Sequence, residues 1–310
     1  MANPVLGSMK VDKILTQFSV AYRNKGYISD KILPRIKVKE RSGKFAKYGK
    51  DNLRLEDNVL RTPGAQARTF DYSVSQGTYT CTEKALEKIV PDEFVNNSDD
   101  PYDPKRDAAM FCVDKIWLHQ ENALATTMAD TSTITQNTTL SGTDQWSDYG
   151  NSDPLDDINT ARETIRTNTG LHANVAVFGI ATWQKFIHHP DVVERIKYVG
   201  TVDPEAVKRA VASLLQVDEI LIGEGIKNTA NQGQSDSLAN VWGDHFWLLY
   251  RPSTPSLMTA SFGFTITDMD RMVDTRYDAA RVGEVVRVRD SYDQTIVDAA
   301  CCYLIHSAVA

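Results

Sequence analysis

Between residues 171 and 223 the spacing of apolar positions passes from strand to helix and back to strand, and the rest of the chain is arranged around this stretch. Residues 173–178 form a short, continuous apolar run with β-branched members, which predicts a buried strand. From Trp183 to His188 the spacing becomes helical, with Trp183, Phe186 and Ile187 on one side. Pro190 ends that helix, and Val192, Val193 and Ile196 begin another turn or two. Asp203 followed by Pro204 marks a helix start: the carboxylate caps free N–H groups and proline suits the first helical position. Val207, Val211 and Leu214 then share a face. Residues 217–222 are a second apolar strand, closed by Gly223. Strand, helices and strand make a compact α/β lobe.

The flanking segments lack a core of their own. Ile14, Phe18, Ala21 and Tyr22 fall on one helical face. Residues 31–39 are expected to be extended, with Ile36 and Val38 on one face after Pro34, lying across another part of the fold or another subunit. Residues 41–80 resemble a long two-stranded excursion: Ser42 and Gly43 turn the chain, residues 44–50 alternate apolar with basic, Thr62-Pro63-Gly64 turns it again, and residues 69–81 are rich in β-formers. Ala85, Leu86, Ile89 and Val90 predict a short amphipathic helix ending at Pro91. Asp103 and Pro104 open a long helix without Gly or Pro to Asp130, about 39 Å at 1.5 Å per residue. Its expected stripe is Met110, Val113, Trp117, Leu124 and Met128, interrupted by Glu121 and widened by Ala109, Ile116, Gln120 and Ala123. Residues 131–152 are a polar loop or weak hairpin. Asp153 and Pro154 start a further helix with Leu155, Ile158, Ala161 and Ile165 inward and Gly170 after its end. Residues 228–240 are a polar loop, and 241–250 should add a strand or strand pair to the lobe's sheet. Residues 261–267, 284–289 and 296–305 predict three more strands. No internal repeat is present.

Composition narrows the class. The chain has 310 residues, 42% hydrophobic and 24% charged, which is ordinary for a folded protein. No apolar run spans a bilayer and the first twenty residues lack the pattern of a signal peptide, so folding in a cytosol and no membrane partner are expected. The net charge is −7 but uneven: residues 1–70 carry +9 and the remainder −16. An acidic balance argues against tight sequence-reading of nucleic acid. The asymmetry fits a basic arm lying on an acidic neighbour; it equally fits ordinary solvated faces. Cys81, Cys112, Cys301 and Cys302 have no ligand spacing and read as reduced, buried thiols. His188 and His189 point apart on a helix. Gly223-Glu224-Gly225 lacks the third glycine and the helix of a dinucleotide turn. Asp268, Asp270 and Asp274 lack the glycine and terminal glutamate of a calcium loop, and a polar turn is expected there. No catalytic, cofactor-binding or metal-ligating residue can be named, so neither an enzyme nor a bound cofactor is expected.

The order of parts resembles the major capsid protein of tailed double-stranded DNA bacteriophages, whose shell fold is shared with encapsulins. Ile32-Leu33-Pro34 with Val38, and the run from Ser42 to Tyr48, resemble an arm leading into an extended loop that includes Arg61-Thr62-Pro63-Gly64. Ala85-Leu86-Glu87, Pro91-Asp92-Glu93 and the stretch from Asp99 to Ala109 resemble the approach to a spine helix. Val175-Ala176-Val177-Phe178, Trp183 and His189-Pro190-Asp191 resemble the start of an axial domain. Val241-Trp242-Gly243-Asp244, Leu248-Leu249-Tyr250 and residues 296–305 resemble later sheet strands. The resemblance implies an α+β fold: N-terminal arm (1–40), extended hairpin loop (41–80), peripheral domain (81–170) with a long spine helix at about 104–130, axial α/β domain (171–255) and return strands (256–310).

It also implies function. The chain would assemble with itself, as hexamers and pentamers, into an icosahedral shell around double-stranded DNA contacted without sequence specificity. It would work with a portal, in some shells with a decoration protein, and, because the arm begins almost at Met1, with a separate scaffolding protein. Assembly would occur in the host cytoplasm and the product would be the virion capsid. Some relatives crosslink a loop lysine to an asparagine of another subunit; Lys44, Lys47 and Lys50 are available, but no pattern singles out the asparagine or its carboxylate. Removing residues 1–40 would leave a chain that stays in solution and does not close shells. The alternatives are an encapsulin-like compartment holding a cargo enzyme and an α/β enzyme with its site at the ends of strands 175–178 and 217–222.

Overall fold

The computed structural model describes residues 26–48, 55, 60–67, 69, 74–97, 103–197, 203–231, 233–256 and 259–310. The helix expected around Ile14 to Tyr22, Lys50 and much of the excursion's far end lie outside them. The described chain enters with one helical turn, α1 (Ser29–Ile32), and a three-residue strand, β1 (Arg35–Lys37). The antiparallel pair β2 (Ser42–Tyr48) and β3 (Val74–Thr80) follows, as the alternation predicts, but Ser42 and Gly43 lie inside β2, paired with Thr80 and Tyr79, rather than at a turn. Next come β4 (Thr82–Pro91), α2 (Asp92–Asn96) and the long helix α3 (Pro104–Ala129). Asp103 accepts from the N–H groups of Lys105 and Arg106 at its start.

The lobe then runs β5 (Asn137–Thr139), α4 (Pro154–Thr169), β6 (Val175–Gly179), α5 (Ile180–Ile187), α6 (Pro190–Ile196), α7 (Pro204–Leu215) and β7 (Glu219–Gly223). A small hairpin, β8 (Ile226–Asn228) and β9 (Leu238–Asn240), closes the ends of the expected polar loop. The chain finishes with β10 (Phe246–Leu249), the long antiparallel pair β11 (Gly263–Asp278) and β12 (Gly283–Ile296), and β13 (Cys302–His306). Helices α3, α4, α6 and α7 each begin with proline after a capping side chain, from Asp103, Asp153, His189 and Asp203. The cap accepts otherwise unpaired N–H groups, and the proline has none to waste. Gly170 ends α4 at φ +72°.

Two sheets organise the molecule. The five-stranded sheet has the order β5-β13-β10-β6-β7 and is buried on both faces. Period-two alternation assigns its side chains: Ala176, Phe178, Phe246 and Leu248 face a core under α4–α7, built around Trp146 and Phe186. Val175, Val177, Trp247 and Leu249 face the other way, onto Leu124, Ala125 and Met128 of α3 and onto Ile32 and Leu33 of the arm. Two chain crossings are so close that only glycine fits. A Cβ on Gly179 would lie 2.2 Å from the carbonyl oxygen of Gly243, and one on Gly223 would lie 2.2 Å from the Trp242 ring.

The four-stranded sheet has the order β1-β11-β12-β4. Alternate residues of β12 meet the N-terminal half of α3: Val286 packs with Ala108, and Val288 with Cys112 and Ile116. Thus α3 packs one sheet with its first half and the other with its second. Its buried stripe runs through Ala108, Cys112, Ile116, Gln120, Leu124 and Met128 in steps of four, with Glu121 and Ala125 beside it. The expected stripe shares only its last two residues, Leu124 and Met128, with this one, and Ile116 and Gln120 are central rather than flanking. Trp117 is 39% exposed.

Other expectations give way to tertiary pairing. Residues 82–91 are strand, not helix: β4 pairs antiparallel with β12 from Thr82↔Tyr292 to Pro91↔Gly283. A spacing of one and four fits either element, and ten positions of ladder against β12 decide for the strand. Residues 268–274 are not a turn but the middle of β11, where cross-strand cations satisfy Asp270 and Asp274 and the Ser291 hydroxyl donates to Asp268. The run 296–305 is not one strand; Asp298 caps a 3-10 turn at Ala299–Cys301 before β13 begins. Residues 31 and 32, expected to be extended, instead complete the helical turn that begins at Ser29, where a carboxylate from α3 takes up the first N–H groups.

Candidate assembly surfaces and their anchor

That carboxylate is Glu121, the residue that interrupts the apolar pattern of α3. It is fully buried. One oxygen accepts from the Ile28 N–H at 2.9 Å and from Trp242 Nε1 at 2.6 Å; the other accepts from the Ser29 N–H at 2.8 Å. Burial raises its pKa above the usual glutamate value, and these hydrogen bonds oppose the rise. One side chain therefore ties the arm, the long helix and the turn before β10 together.

One helical step away a second junction holds β1. Arg35 and Arg271 both reach the buried carboxylate of Asp290, at 3.2 and 2.6 Å. Arg35 also donates to Gln120 Oε1 at 2.9 Å, and Gln120 Nε2 donates to Asp30 at 2.6 Å. Burial works against the Arg35 cation, but Asp290 and Asp30 outweigh it and hold its pKa above the ordinary value. Beside them Lys84 sits over the Tyr292 ring, 3.9 Å from its centre, and burial pushes the Tyr292 phenol upward. β1 then joins β11 in parallel register, Arg35↔Thr265 to Lys37↔Thr267. The expectation that this segment lies across another part of the fold is met within the same subunit.

The base of the β2–β3 hairpin is fastened in the same region. Phe45, Tyr79 and Cys81 pack with Phe264, Ile266 and Val297, with Ile36 and Val38 alongside. The Thr80 N–H donates to Asp293 at 3.0 Å. Among the described residues beyond this base, Leu55 and Leu60 are 82% and 95% exposed. Lys44 is exposed, and Lys47 lies over the Phe45 ring.

The face of the four-stranded sheet away from α3 carries ion pairs across the strands. Arg287 pairs with Asp274, Arg289 with Asp274 and Glu83 at 3.6 and 3.5 Å, and Arg276 with Glu87 at 3.2 Å. Asp270 pairs with Lys37, and Asp268 accepts from the Ser291 hydroxyl. At the far end of β11–β12 Val273, Tyr277 and Val282 are exposed apolar side chains. No pattern in the chain marks Glu121 or Asp290 as anchors, since their partners lie in distant segments.

Among the described residues no group of three or more His, Cys, Asp or Glu could hold a metal ion, and no helix is long and apolar enough to cross a membrane. Burial raises the Cys81 thiol to about 11 and the Cys301 thiol to about 12, and raises Cys302 as well, so none is an activated nucleophile at neutral pH. His189 is buried and caps α6 through the Asp191 N–H.

Residues 113–238 match the model of a family described as phage major capsid protein E. Along nearly its whole length the chain is similar to the major capsid protein of Pseudomonas phage JBD67, with 28% identity over 97% of each. A crystal structure of a phage-related protein from Bordetella bronchiseptica aligns with TM-score 0.70 and 25% identity, over 96% of this chain and 97% of that one. A chain of the cyanophage P-SCSP1u capsid aligns with TM-score 0.61 at 11% identity, over 92% and 89%. The fold is that of tailed-phage major capsid proteins.

Proposed function

We infer that this chain is a phage major capsid protein, a subunit that builds the shell enclosing the genome. Its similarity to a phage major capsid protein across 97% of both chains carries this conclusion. The physical layout supports it: a basic N-terminal region, a hairpin with exposed leucines, and a helix bracing two sheets. The role is structural, and the chain's partner is first of all itself, arranged in hexamers and pentamers.

Within that reading residues 1–40 are the arm, 41–80 the extended loop, 81–170 the peripheral domain with α3 as its spine, 171–255 the axial domain and 256–310 the return strands. The exposed loop leucines bury themselves on a neighbouring subunit, and the basic residues around them find its acidic surface. Double-stranded DNA is packed inside without sequence-specific contacts. A separate scaffolding protein, a portal and in some shells a decoration protein complete the assembly, which takes place in the host cytoplasm.

A truncation tests the arm's role. Ile28, Ile32 and Leu33 belong to the core, so removing residues 1–40 would damage folding as well as assembly. Removal of residues 1–25 alone is the sharper experiment. The expected result is a chain with an unchanged melting temperature that fails to close shells in electron micrographs; normal shells would exclude the arm from assembly.

A further inference from the structure

Two imidazoles at the end of β13 have no part in the anchor described above. The rings of His245 and His306 stack with centroids 4.2 Å apart and planes inclined by 29°. His245 Nδ1 accepts from the Ser307 N–H at 3.0 Å, so that nitrogen is unprotonated and the ring is neutral. Ser307 turns the chain at φ +52°, and its hydroxyl lies 3.0 Å from His306 Nδ1. Its carbonyl accepts from Gln145 Nε2 at 3.1 Å. Past this turn Ala308 and Val309 are buried. The Ala308 N–H donates to the Asp244 carbonyl at 2.9 Å, and the Ala308 carbonyl accepts from the Trp146 N–H at 2.8 Å. The last four residues thus close a seam between the loop around Trp146 and the turn before β10.

We propose that His245, stacked on His306, is a proton-operated clasp on the segment that follows β13, closed while the His245 ring is neutral and opened by mild acid. A proton on His245 Nδ1 replaces the acceptor with a donor aimed at the Ser307 N–H. The titratable groups acting on His245 are Asp244 and His306. Burial is the largest influence and disfavours the cation; Asp244, 3.5 Å from Nδ1, favours it; His306 disfavours it. The balance lowers the His245 pKa below the ordinary histidine value. The unfolded chain therefore binds the proton more readily than the closed clasp, so closure is fully stable above about pH 6.5 and weakens as pH falls. The aromatic edge of Trp247 packs on His245 and supplies no charge.

Hydrogen exchange of the full-length chain between pH 8 and 5, corrected for intrinsic rates, tests the clasp. The Trp146, Ser307 and Ala308 amides should open as pH falls, by up to about tenfold per pH unit for each linked proton. His306→Gln should move the transition to higher pH, because His306 disfavours the His245 cation. His245→Gln keeps an acceptor for Ser307 and should make exchange independent of pH. Flat exchange in the natural chain, or acid opening unchanged in His245→Gln, overturns the proposal. Should that variant not fold, NMR titration of the natural chain's His245 C2–H signal decides: a value depressed below the ordinary histidine range supports the clasp, and an ordinary value refutes it.

Discussion

Glu121 is a buried carboxylate for which three N–H donors stand in place of a cation. Glu121→Gln substitutes a donor for one acceptor and leaves one of those N–H groups without a partner, at a cost of about 1–3 kcal/mol. The pH response has a definite sign. Its folded pKa is raised, so the folded state holds this proton more tightly than the unfolded chain. Its contribution to stability is fullest below the usual glutamate value and declines as pH rises through the raised one. Thermal melts from pH 4 to 8 should show Glu121→Gln losing that decline; an unchanged profile would contradict it. At the tip between β11 and β12, Val282 takes φ +46°, which is unfavourable for a β-branched residue. Val282→Gly should raise stability by about 1 kcal/mol in denaturant titrations; a loss would show that the valine is held there by favourable packing. Neither residue was legible beforehand. In the sequence Glu121 only interrupts a stripe, because Ile28 and Trp242 are far from it along the chain.

The elements divide according to whether their cause is local. Helices α3, α4 and α7 were legible at their starts because Asp and Pro act within one turn. Asp103→Ala should cost about 1 kcal/mol in thermal melts; no change would mean that packing alone fixes that end. The strand β4 was not legible. Ala85, Leu86, Ile89 and Val90 fit a helix, and only β12, nearly two hundred residues later, supplies the ladder. Amide exchange distinguishes the two: an edge strand protects alternate amides between Thr82 and Pro91, whereas a helix would protect consecutive ones. The aspartates of β11 misled for the same reason. Their cationic partners Arg287, Arg289 and Lys37 come from other strands. By contrast β6 is a continuous apolar run, and burial on both sheet faces is written into it.

At the scale of the whole molecule, one subunit satisfies its anchors internally while leaving its extended surfaces open. Glu121, Asp290 and the hairpin base are tied down, and Leu55 and Leu60 stand in solvent. The overall order of arm, hairpin, long helix and α/β lobe was legible because the resemblance rests on order. The two-sheet bracing by α3 was not, since it depends on which face of the helix meets which sheet. Charge enters at this scale too. Replacing Lys44, Lys47 and Lys50 with glutamine should weaken assembly most at low salt, because screening already reduces such attractions at high salt; light scattering that shows equal assembly at every salt concentration would remove the electrostatic contribution. The most direct measurement is electron microscopy, with light scattering, of the purified chain with and without a crowding agent or scaffolding protein. Shells or rings of five and six subunits are the predicted result; a particle that stays monomeric or dimeric under every condition would contradict the account.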